Sequence, residues 1–213
     1  MIGSVSDERI VMTPHGEGRI LAHRARRPIA TLALGHGAGG GIAAQDLARL
    51  ARRLPPQDIN VFLIEQPYRR AGRKAPPPAK VLDESWVSLL SNMRIRTPLV
   101  VGGRSSGARV ACRTASELGA SGVLALAFPL HPPGKPDKTR VDELTSVRLP
   151  SLVVQGQRDA FGTPEEFPPL TEMTVVPDAD HSFKVPRAAE LTQTETLDLI
   201  VEAVLEWVTR TIA

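Results

Sequence analysis

Cysteine is nearly missing from this sequence. One residue, Cys112, stands among 213, which excludes an intrachain disulfide and a cysteine-based zinc cage. Aromatic side chains make up only 4%, so a core has to be built from Leu, Val, Ile and Ala. No apolar run approaches the ~20 residues that span a bilayer. The opening residues, MIGSVSDERIVM, lack the basic-then-apolar order of a secretory signal. A cytoplasmic protein without membrane contact is the simplest expectation. An excess of one charge is lacking too. The formal net charge is +3, and Lys and Arg are spread along the chain rather than gathered as on a nucleic-acid-binding face. The exception is YRRAGRKAPPPAK (68–80), with Arg69, Arg70, Arg73, Lys74, Lys80 and no acid.

What is present is ordinary for a folded chain: 42% hydrophobic and 23% charged residues, enough for one domain over 1–213 with a sizeable core. Short apolar runs alternate with helical patterns. Segments 8–13 and 19–24 flank HGEG and predict a hairpin. Buried strands are predicted at 30–37, 59–67, 98–103, 122–128 and 150–156, with a short one at 173–177. Helical spacing runs over 42–54, through Leu82, Trp86, Leu89 and Met93, through Ala108, Ala111, Cys112 and Ala115, and along 189–212. Strands buried on both faces between amphipathic helices imply an α/β fold, a mostly parallel sheet with helices on both faces. Sites in such sheets form at the carboxyl ends of strands.

The strand PLVVGG runs into GGRSSGARVA, where Gly103-Arg104-Ser105-Ser106-Gly107 fits G-x-S-x-G. A nucleophile at the apex of a sharp strand-to-helix turn brings the residues two before and two after it together, so both must be glycine. Ser106 does not fit, because Arg104 and Ala108 stand where it would need glycines. A serine hydroxyl needs a base, and the base an orienting group. Asp159 follows the strand PSLVVQG and His181 follows MTVVP, each just past a strand end. Asp159 could instead cap a helix, leaving Asp178 or Asp180 as the acid. Asp180 adjoins His181, however, and does not easily reach back to its ring. LGHGAGGG (34–41) follows the first buried strand. Its Ala38 amide, or the Gly39 amide, would join the Ser106 amide as an oxyanion hole.

Other readings exist. Gly35, Gly37 and Gly40 also fit G-x-G-x-x-G, with Glu65 at the end of the next strand, the pattern of a dinucleotide site. That leaves Ser105, Asp159 and His181 unexplained. A zinc site from His36, His131 and His181 has no recognisable ligand spacing. His36 is expected to be structural. A third reading keeps the fold and its three residues as a binding or scaffold protein.

Together, LGHGAGGG, GGRSSGARVA, FPLHPPGKP, VVQGQRDAFG and DADHSF resemble the α/β-hydrolase superfamily over essentially the whole chain. More narrowly they resemble the small dienelactone-hydrolase-like proteins, and among them a branch of predicted hydrolases with testis-expressed and chromatin-complex relatives. The resemblance implies an α/β-hydrolase fold and a serine hydrolase acting on a small ester or related acyl bond. Ser105 would be the nucleophile, Asp159 the acid and His181 the base, with no cofactor. Serine stands where dienelactone hydrolases carry cysteine, so their lactone substrate does not carry over. The length leaves no room for a large cap domain. Residues 67–80 or 129–140 could form a small lid, and the basic character of the first suggests an anionic substrate group. By position, Tyr68 and His131 would line a pocket.

Overall fold

Runs of Val, Ile, Leu and Ala with no polar face become the centre of one eight-stranded sheet. The computed structural model describes residues 5–212. In chain order the elements are β1 (Val5–Thr13), β2 (Gly16–Arg24), β3 (Ala30–Gly35), α1 (Gln45–Arg53), β4 (Ile59–Glu65), α2 (Pro67–Arg70), α3 (Ala79–Ser91), β5 (Leu99–Arg104), α4 (Ser106–Thr114), β6 (Gly122–Leu126), α5 (Val141–Thr145), β7 (Ser151–Gly156), β8 (Met173–Val176) and α6 (Gln193–Ile212). The strand order is β1-β2-β4-β3-β5-β6-β7-β8. The β1–β2 hairpin is antiparallel and joins β4 antiparallel. From β4 to β8 all neighbours are parallel.

Alternation along the strands sorts side chains into two cores. Ala33, Val101, Val123 and Val153 face α3 and α4, meeting Trp86, Leu89, Ala108 and Ala111. Leu32, Val100, Leu124 and Leu152 face α1 and α6, meeting Leu47, Leu50, Ile200, Val204 and Trp207. Each Val, Leu or Ile side chain among them, fully buried, contributes about 1.5–3 kcal/mol. The sequence-predicted helix at 42–54 starts three residues later, at Gln45. The Ala44 amide first closes a turn onto the Gly41 carbonyl, 3.3 Å away. No helix among the described residues is long and apolar enough to cross a membrane.

Candidate active site

The parallel strands deliver their carboxyl ends to one edge, and β5 delivers the turn. Ser105 sits between β5 and α4 at φ 53°, ψ −112°. Such angles in a side-chain-bearing residue cost about 1–3 kcal/mol. The turn is over-determined by its neighbours. The Ser105 amide donates to the Leu126 carbonyl at 2.9 Å. A Cβ on Gly103 would lie 2.8 Å from the Gly107 carbonyl carbon and 2.6 Å from the Gly35 oxygen. One on Gly107 would lie 2.5 Å from that same oxygen. The two glycines therefore let β3, as well as the start of α4, press against the turn.

The other two predicted residues converge on it. His181 Nε2 lies 2.9 Å from Ser105 Oγ, and its Nδ1 lies 2.7 Å from Asp159 Oδ2. Asp159 is fully buried. It also accepts the Phe161 amide at 2.8 Å and Gln155 Nε2 at 2.9 Å. Surrounded by donors, the carboxylate acts only as an acceptor, so Nδ1 of His181 carries a proton and Nε2 is free to accept the serine's. Phe161 stacks on the imidazole with ring centres 4.1 Å apart. Asp178 and Asp180 serve the loop instead. The Asp178 amide donates to Gln157, and Asp180 Oδ1 accepts the Ser182 and Lys184 amides.

The glycine loop lies against the serine, with a Cβ on Gly37 only 3.6 Å from that of Ser105. His36 shapes this loop. Its Nε2 accepts the Gln66 amide at 3.1 Å, so its Nδ1 carries the proton and donates to the Gly37 carbonyl at 2.9 Å. Burial holds the ring below the ordinary imidazole range and so keeps it neutral. In a trans peptide the carbonyl and the next N–H point opposite ways. Turning the Gly37 carbonyl to His36 therefore turns the Ala38 N–H away from it. Among the described residues neither the Ala38, the Gly39 nor the Ser106 amide has an acceptor. Ser106 is also the first residue of α4, where the helix dipole is positive.

Tyr68 and His131, expected to line a pocket, have other partners. The Tyr68 hydroxyl, pushed up to about 12 by burial, donates to the Ala38 carbonyl at 2.7 Å. With Ser106, Gln66 and Trp86 it borders a cavity of about 10 Å³, room for no more than one water. His131 has Nε2 at 2.8 Å from Glu166 and Nδ1 at 3.0 Å from the Pro132 carbonyl. The three histidines weighed for zinc thus face three different sets of partners. The dinucleotide arrangement is not formed either. Its helix would have to start at the third glycine, whereas α1 starts at Gln45, and Glu65 pairs with Arg19 at 2.9 Å.

Gln155, Phe161, Asp46 and Arg104 also stand around the site, where no motif in the sequence places them. Gln155 is a large polar residue directly after the apolar run Leu152-Val153-Val154, a usable signal. It is fully buried, and its amide also reaches the Gly162 carbonyl at 2.8 Å. Arg104 lay inside the G-x-S-x-G pattern, at a position the pattern leaves open.

The alpha/beta hydrolase domain family matches residues 28–209. Among solved structures, the chain resembles an α/β serine hydrolase without a lid from Xanthomonas campestris. The TM-score is 0.71 at 20% identity, over 96% of this chain and 94% of that one. It also resembles dienelactone hydrolase from Anabaena variabilis, with TM-score 0.73 at 16% identity over 98% of each chain. An α/β serine hydrolase homologue from Coxiella burnetii gives 0.73 at 16% identity, over 93% and 97%. At these identities the likeness is one of fold. No curated protein matches the chain by sequence.

Proposed function

The chain belongs to the alpha/beta hydrolase domain family, and from that premise we propose that it is a serine hydrolase of small esters or related acyl bonds. The observation that carries this reading is the pair of hydrogen bonds linking Ser105 Oγ to His181 Nε2 at 2.9 Å and His181 Nδ1 to Asp159 at 2.7 Å. His181 takes the hydroxyl proton as Ser105 Oγ attacks the acyl carbon. The carbonyl oxygen becomes an oxyanion held by the Ala38 and Ser106 amides, with Gly39 beside them. As the tetrahedral intermediate collapses, the imidazolium returns its proton to the leaving alkoxide, and an acyl-enzyme remains. Water then attacks, His181 takes its proton and gives it back to Ser105, and the acid leaves. The chemistry is complete with these side chains and needs no cofactor. Arg73 and Lys74 are exposed on the segment after α2. They favour a substrate with an anionic group.

The test is labelling with a fluorophosphonate probe, read by intact mass. Wild type should gain one adduct and Ser105→Ala none. A well-folded wild type that stays unlabelled overturns the reading in favour of a binding protein on this fold.

A further inference from the structure

Arg104 stands between Gly103 and Ser105, so its backbone belongs to the nucleophile turn. Its side chain is only 12% exposed and runs into the space where three loops meet. Nη2 donates to the main-chain carbonyl of His181 at 2.7 Å and to Ser182 Oγ at 3.1 Å. Nη1 lies under the glycine loop, 3.1 Å from where a Gly37 Cβ would be. Nε faces Asp46 Oδ2 at 3.4 Å. Asp46 is in the first turn of α1 and is 2% exposed. Its carboxyl is pushed up by burial and drawn back chiefly by Arg104, then by the helix-start amides and His181. The guanidinium is thus charged, enclosed and balanced by one acid. Its backbone forms the nucleophile turn, and its side chain touches the His181 loop and the glycine loop.

We propose that Arg104, neutralised by Asp46, is a positioning residue that sets the His181 loop and the glycine loop at their distances from Ser105. This rests on the serine-hydrolase reading. Two features argue for the role. The bond to His181 is to its backbone, so it fixes where the imidazole starts without competing for either ring nitrogen. The planar fork of an arginine can serve a carbonyl, a hydroxyl and a carboxylate at once, which a lysine cannot.

The experiment compares wild type, Arg104→Lys, Arg104→Ala and Asp46→Asn, each checked for folding by thermal melting. Turnover of p-nitrophenyl acetate is split into kcat and KM. In parallel, proton NMR follows the low-field signal of the His181 Nδ1–H, assigned by its loss in His181→Asn. Misplacement of a reacting group by about 1 Å costs about 10²-fold. We expect kcat to fall by about that factor in Arg104→Ala, with KM within about twofold, as for a loss felt only in the transition state. Arg104→Lys should recover part of the loss, Asp46→Asn should share it, and the low-field signal should move in all three. An Arg104→Lys protein with wild-type kcat and an unmoved signal overturns the proposal, whether or not Arg104→Ala folds. If wild type neither turns over nor labels, yet the signal moves in the variants, the hydrolase reading falls and the positioning role stands.

Discussion

His36 has a use for both ring nitrogens, and only the neutral ring satisfies them. Nε2 accepts from Gln66 while Nδ1 donates to Gly37, and burial keeps the ring below its ordinary value near 6.5. Below that pH the unfolded chain takes up a proton that the folded chain refuses. The contribution of His36 to stability is therefore complete above about pH 6.5 and is lost as pH falls through the lowered folded value. Between pH 7 and 5 the Tm of wild type should fall more steeply than that of His36→Asn. His23, held low by burial, and His131, held high by the Pro132 carbonyl and Glu166, titrate in both proteins and cancel in the difference. Equal slopes in the two melting series would sink the idea. The site residues divide by how far their cause lies along the chain. The convergence of Ser105, Asp159 and His181 was legible because each follows a strand end, and parallel strands bring such ends together. The partners of His36 were not, because the Gln66 amide meets it only once β3 and β4 are paired in register. Asp46 was hidden for the same reason. In sequence it is an acid in the first turn of a helix, and its pairing with Arg104 exists only in the packed sheet edge.

At the scale of elements, the His181 loop has to cross the end of β7 to reach β5. It does so as a tightly hydrogen-bonded turn. Asp178 and Phe183 bracket it with φ of 54° and 52°, and Asp180 ties its inner amides. The crossing is possible because β7 ends in Gly156. A Cβ there would lie 2.5 Å from the Ala179 carbonyl oxygen and 2.8 Å from that of Asp180. Gly156→Ala forces the loop upward and carries His181 with it. The expected cost is about 1–3 kcal/mol of stability, as for other overpacked sites. The fluorophosphonate labelling rate should fall by about tenfold or more, since the ring is displaced from Ser105. Wild-type labelling in Gly156→Ala would mean that the loop is not held by this contact. The strands themselves were readable because burial on both faces leaves mostly apolar runs, interrupted only by single polar residues such as Thr31, Asn60 and Gln155. Their edges were less so. The hairpin ladder continues to Thr13↔Gly16, past the apolar residues that marked β2 from 19. The helices α2 and α5 have four and five residues, too few to show a helical period at all.

Across the whole molecule, the sheet separates two cores that share strands but little else, and each contains one tryptophan. Trp86 is 0% exposed in the α3–α4 layer, and Trp207 is 2% exposed in the α1–α6 layer. Replacing either with alanine leaves a large cavity and should cost about 3–5 kcal/mol, a serious part of the about 5–15 kcal/mol that holds a domain folded. By stability alone the two substitutions should look alike. Their positions relative to the site differ. Trp207 packs at Gly122, the start of β6 and so the end of the strand away from the site, 3.1 Å from where a Cβ would be. Trp86 packs on Gly35, 3.2 Å from its notional Cβ, and lines the small cavity beside Ser106. Gly35 in turn supports both glycines of the serine turn. Interiors are close-packed and pass strain on to their neighbours, so a void at Trp86 loosens the floor of the site while one at Trp207 relaxes far from it. Both variants should melt at similarly lowered temperatures. Assayed well below those temperatures, Trp207→Ala should be labelled by the fluorophosphonate at the wild-type rate and Trp86→Ala markedly more slowly. Equal labelling of the two would mean that the layers do not insulate the site, and that its geometry is set by the sheet edge alone.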